Sequence, residues 1–141
     1  MSEHISAEEF SGFADDILQR NNVVQALNWV PKVLHTQRAA YENKWKNKLG
    51  LNEFHIMDRE TSGSLVPISA RKVYFPITYT EPYSYNHDIL GVDMFHAYFN
   101  SEFPAALSSK AMTVMPVFPL AQAMGKQQGL MLLFPVYKKQ V

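Results

Sequence analysis

The sequence predicts an α+β domain, and three observations carry that reading. Two helical patterns fill residues 1–50, the hydrophobic period shifts to two after Gly50, and the later strand-like runs are interrupted by short helical turns. A chain of 141 residues suits one compact domain with a single sizeable core. Residues 1–50 read as its helical part, and 51–141 as its sheet with short covering helices.

Ser6-Ala7-Glu8-Glu9 has the form of a capping box, with Ser6 as N-cap. Phe10, Phe13, Ala14, Ile17 and Leu18 follow at helical spacing, and this helix should end near Asn21-Asn22. A short helical turn is expected through Val23 to Trp29. Pro31 suits the first position of a second helix, where its missing N–H costs nothing. Val33, Leu34, Tyr41 and Trp45 carry its apolar face, Arg38 and Glu42 can pair one turn apart, and Gly50 supplies the stop.

Phe54, Ile56 and Met57 predict a short strand, residues 58–64 a polar turn, and 65–68 a second strand. Val73, Phe75, Ile77 and Tyr79 alternate with Tyr74, Pro76 and Thr78, and Pro76 requires one unpaired side at that point. Residues 81–91 read as loop and turn, and 94–99 and 103–110 as short helices. Two last strands are expected, near 111–115 with 119–123 beyond, and over 129–137. The final strand is apolar on both faces and should lie inside the sheet.

Thirteen basic residues balance thirteen acidic ones, which leaves no field to gather nucleic acid or an anionic membrane. With no cysteine there is no thiol nucleophile or thiolate metal site. The longest apolar run, Leu130 to Phe134, is far too short to cross a bilayer, so no membrane insertion by this segment is expected. No Gly-x-Ser-x-Gly elbow and no phosphate-cradling glycine loop occurs.

Four segments resemble the CHASE family, the extracellular sensor domains of histidine kinases, nucleotide cyclases and related receptors. They are Ala26-Leu27-Asn28-Trp29-Val30-Pro31-Lys32-Val33 with Arg38 and Tyr41-Glu42; Tyr74-Phe75-Pro76-Ile77-Thr78-Tyr79 with Glu81-Pro82; Leu90-Gly91-Val92-Asp93-Met94; and the terminal run Gly129 to Tyr137. They fall in the family's order over about Phe10 to Tyr137. Two departures stand out: Lys32 replaces the usual arginine after proline, and Ser109 a common glycine. The resemblance implies a PAS-like antiparallel sheet of about five strands, the membrane-distal lobe of a sensor, without chemistry or a cofactor of its own. It implies a periplasmic or extracellular position, a homodimeric parent, and an output histidine kinase or cyclic-di-GMP cyclase or phosphodiesterase inside the cell.

Asp93 is the principal candidate site residue. From the residues alone it reads equally as an N-cap before Met94. In the cytokinin-receptor branch the matching aspartate accepts hydrogen bonds from a purine-like ligand, and a carboxylate in an apolar pocket suits that role. Thr113 is a secondary candidate, and Phe75, Tyr79, Leu132 and Phe134 are candidate apolar walls. The ligand expected is purine-like, a small organic acid or an amino acid. Two competing classes are a soluble hydrolase using His87 and His96 and a ligand-free dimerisation lobe. His87, Asp88, Asp93 and His96 lack the spacing that sets two imidazoles on one helix face, so no metal is expected.

Overall fold

A computed structural model describes residues 5–21, 24–60, 62–94, 113–119, 128–133 and 136. Helix α1 spans Ala7–Arg20, and the Ser6 hydroxyl accepts the Glu9 N–H at 3.0 Å, the expected cap. Its inner face is narrower than the sequence stripe: Phe10 and Ala14 are buried, while Phe13 stays exposed.

The expected helical turn ahead of Trp29 is instead a strand at its end. Strand β1 (Leu27–Trp29) pairs antiparallel with β6 (Tyr79–Glu81), with Trp29 opposite Tyr79 and Asn28 opposite Thr80. The reason is tertiary: Trp29 and Tyr79 share the face on which Phe10 lies, with ring centroids 6.5 and 5.8 Å from it. The second helix also starts later than Pro31. Val33–Leu34 forms β2, paired with β5 (Val73–Tyr74), and the Lys72 carbonyl accepts the His35 N–H at 3.0 Å. The part up to residue 50 therefore supplies strands as well as helices.

Helix α2 runs His35–Lys48. Its N-cap, Leu34, has no polar side chain, so Gln37 reaches back and accepts the Leu34 N–H at 2.9 Å. At the other end Gly50 has φ +66°, Leu51 N–H donates to the Lys46 carbonyl and Gly50 N–H to that of Asn47. This Schellman arrangement is the stop the glycine predicts.

Strands β3 (Met57–Arg59) and β4 (Leu65–Pro67) form a hairpin turning at Gly63. After β6 come a short helix α3 (Tyr83–Asn86) and a 3₁₀ turn at His87–Ile89. Strands β7 (Thr113–Pro119) and β8 (Gln128–Leu133) pair antiparallel, with a register shift between Met115 and Phe118.

The fold class is thus α+β, with antiparallel strands in four two-stranded pairs among the described residues. Val33, Ile56, Ile68 and Tyr74 form a buried cluster with Tyr41 against it. The expected helices at 94–99 and 103–110 lie almost entirely outside the described residues. Leu132 is 57% exposed, so at that position the last strand does not have the two buried faces expected of it.

Residues 91–94 tie the middle of the fold together. Met57 N–H donates to the Gly91 carbonyl and Asp93 N–H to that of Met57, while Gly91, Ile77 and Met94 exchange backbone bonds with residues 75–77 and 92. Gly91 makes the entry possible. Its φ is +86°, and a Cβ there would meet Phe54 Cζ at 3.0 Å and the His55 carbonyl oxygen at 3.1 Å. Gly91→Ala is therefore expected to destabilise the fold by about 1–3 kcal/mol. Urea unfolding would show this as a lower midpoint at unchanged slope.

Candidate functional site

Asp93 is 1% exposed. Pro76 lies opposite it in an antiparallel bridge. Next to Pro76, the Phe75 N–H donates to Asp93 Oδ1 at 2.7 Å, and Met94 N–H donates to the Phe75 carbonyl at 2.9 Å. The carboxylate therefore takes a place that a backbone carbonyl holds in an ordinary ladder. A short N–H to carboxylate bond is the kind that stabilises a buried negative charge. Asp93 sits in the interior at the meeting of three segments, around Met57, Phe75–Ile77 and Gly91–Met94.

A second polar centre docks α2. The Tyr74 ring is fully buried, and its hydroxyl meets three groups: His35 Nδ1 at 2.8 Å, Arg38 Nη1 at 3.1 Å and the Arg71 N–H at 2.8 Å. The Arg38 guanidinium also lies 5.0 Å from the Tyr74 ring centroid. Arg38 Nε pairs with Glu42 Oε2 at 3.3 Å, and that same oxygen accepts the Ile56 N–H at 2.7 Å, with His55 Nδ1 at 3.6 Å. The pair expected one turn apart on the helix is thus largely inside, at the helix–strand junction. Burial opposes the Arg38 charge, but the Tyr74 hydrogen bond and Glu42 outweigh it and raise its pKa.

Tyr41, one turn along, exchanges a 2.8 Å hydrogen bond with the Thr78 hydroxyl, which also donates to the Pro76 carbonyl. Sequence reasoning found Arg38, Tyr41, Glu42 and Tyr74 as motif letters but not as one assembly. Tyr74 lies 36 residues beyond Arg38, and no helical or strand spacing relates the two.

The remaining candidates are not gathered in one place. Phe75 is buried beside Asp93. Tyr79 instead belongs to an aromatic group with Phe10 and Trp45, 5.8 and 5.7 Å between centroids, and Lys48 Nζ lies 4.9 Å from the Trp45 ring. Thr113 opens β7 opposite Leu133, Leu132 is exposed, and Phe134 lies outside the described residues. His87 Nδ1 pairs with Asp88 Oδ1 at 3.0 Å in a solvated setting, and His96 lies outside the described residues.

Two further features are polar. Asn28 Oδ1 and Thr80 Oγ1, on residues opposite each other across β1 and β6, are buried without a hydrogen-bond partner among the described residues. A groove of about 270 Å³ runs between the start of α1 and the end of α2, with Lys44, Lys48, Glu8, Glu9 and Tyr79 along it.

The profile of the CHASE domain family matches residues 3–141. The chain belongs to the CHASE domain family. Comparison with curated proteins gives no match. CHASE domains are sensor domains of receptors, placed on the extracellular or periplasmic side, and the resemblance first carried by four short segments therefore holds over the whole chain. Among the described residues no helix is long and apolar enough to cross a membrane. As a CHASE domain, the chain is a sensing module, and the buried polar centres are to be understood in that setting.

Tyr41 provides a test of the α2 docking. Burial raises its phenol pKa far above the usual value, against the Thr78 hydrogen bond, with Tyr79 and Glu42 adding to the rise. A folded pKa above the unfolded one means that the contribution is fully present below about pH 10, the unfolded value, and lost as pH climbs beyond it. Stability should therefore fall on the alkaline side. Tyr41→Phe is expected to lose about 1 kcal/mol at neutral pH and to flatten that alkaline fall, as measured by urea unfolding at about pH 8 to 11. Tyr79, whose pKa burial, Glu8 and Glu9 also raise, leaves a residual slope.

Proposed function

We propose that this CHASE domain senses a small molecule on the outer side of the membrane for a transmembrane receptor, with Asp93 as its polar anchor. The observation that carries the reading is an acid kept in the interior at the junction of three chain segments. A buried carboxylate is expensive unless donors surround it, so a fold that retains one has a use for its charge. Phe75 borders it as an apolar wall, and Tyr79, Thr113, Leu132 and Phe134 are the further contacts proposed. The buried oxygens of Asn28 and Thr80, without a partner among the described residues, support a ligand rich in N–H or O–H donors, as purine-like compounds and amino acids are. Family membership supports the absence of chemistry: the domain binds and relays, and the parent carries a kinase or a cyclic-di-GMP enzyme inside the cell. In a homodimeric parent, binding would shift the N-terminal helix against its partner.

Thermal-shift screening against purines, amino acids and small organic acids tests the proposal. A ligand at 100 times its Kd should stabilise the domain by about 2.7 kcal/mol. Asp93→Asn keeps an oxygen for the Phe75 N–H but removes the charge, and it is expected to abolish that shift. A full shift in this variant removes Asp93 as anchor, and no shift with any compound class removes small-molecule sensing itself.

A further inference from the structure

We propose that the joint between α2 and the β2–β5 pair is a proton-sensitive latch, with His35 as the sensing residue. The Tyr74 hydroxyl has a single proton and two lone pairs. Arg38 Nη1 and the Arg71 N–H can only donate, and both point at the Tyr74 oxygen, at 3.1 and 2.8 Å. Both lone pairs are therefore taken. The third contact, His35 Nδ1 at 2.8 Å, must receive the hydroxyl proton. His35 is thereby fixed as the neutral imidazole with its hydrogen on Nε2.

A second proton on His35 removes that acceptor. It places an N–H against an oxygen with no lone pair left, and it sets a cation beside the Arg38 guanidinium. The groups facing His35 reinforce the effect. On α2 these are Arg38, whose charge Glu42 balances, and Gln37, already committed to Leu34. From β5 there is Tyr74, and from the segment before it the backbone of Arg71 and Lys72. No carboxylate lies within ion-pair distance of His35 among the described residues. His55 works in the opposite sense, because its proton strengthens the contact with Glu42. Histidine is the side chain that changes charge over pH 5–8, a range met on the outer side of a cell. Acid should therefore loosen the start of α2 from the strands, whether or not a small ligand is bound.

The latch is tested by melting the wild-type domain and His35→Gln side by side from about pH 7.5 to about pH 5, since glutamine offers an acceptor oxygen at every pH. Both proteins keep His55, so the difference between their profiles isolates His35. The wild type is expected to lose about 3 °C in Tm relative to the variant on acidification, the size of one hydrogen bond in a domain of this length. With Tyr74→Phe as background, that difference should shrink, leaving only the repulsion between the His35 cation and Arg38. Parallel profiles for wild type and His35→Gln overturn the proposal. Should Tyr74→Phe not fold, ¹⁵N NMR of the wild type decides: a hydrogen on His35 Nε2 at neutral pH is required, and a hydrogen on Nδ1 refutes it.

Discussion

The Tyr74 hydroxyl is the atom on which the packing of this domain turns. Its ring is part of the buried cluster with Val33, Ile56 and Ile68, so burial of apolar area fixes where the ring sits. That placement carries a polar atom inside, and leaving it without partners would cost about 1–3 kcal/mol. Three groups from two segments answer it: α2 sends His35 and Arg38, and the turn before β5 sends the Arg71 N–H. Once Arg38 is committed, Glu42 is drawn inward to balance its charge, and Glu42 in turn captures Ile56 N–H. One phenol thus sets the depth and rotation of a 14-residue helix.

Asp93 plays the same part at the other polar centre. Pro76 has no N–H to give to a ladder, so pairing across it relies on its neighbours. The Asp93 carboxylate accepts from Phe75, and the Met94 N–H returns a bond to the Phe75 carbonyl. Gly91 gives the chain the sharp entry that brings Asp93 under the strand, with Phe54 and the His55 carbonyl pressed close behind it. Both centres follow one rule. A backbone or ring is placed by burial, and a charged side chain from a distant segment completes the hydrogen bonding that burial leaves open.

What the sequence discloses is local. The Ser6 cap and the Gly50 stop depend on residues within a turn, and both stand where the pattern puts them. The α+β class follows from the change of period after Gly50 and holds. The stretch ahead of Trp29 failed for the opposite reason: a strand of three residues has no period to read, and its conformation comes from Tyr79, some fifty positions away. Pro31 misled because proline fits an extended approach as well as a first helical turn, and here β2 intervenes. Asp93 was visible as an acid among apolar neighbours, yet its bond to Phe75 was not, since that depends on which segments meet. Spacing makes Arg38 and Glu42 partners, but their burial needs Tyr74, which spacing along a helix never brings into view.

Polar docking has a mechanical consequence. An apolar interface loses free energy gradually as area is uncovered, whereas a short hydrogen bond fails over a few tenths of an ångström. Helix α2 buries Trp45 and part of Tyr41, but its attachment otherwise rests on directional bonds from His35, Arg38, Tyr41 and Glu42. Such a joint holds firmly in one arrangement and releases as a unit. Two arrangements separated by a small number of discrete bonds are what a sensor needs in order to turn a modest binding or protonation energy into a change of population. The domain therefore has its rigidity and its capacity to switch in the same few side chains, and those side chains lie between the helix and the strands, where a displacement on one side must move the other.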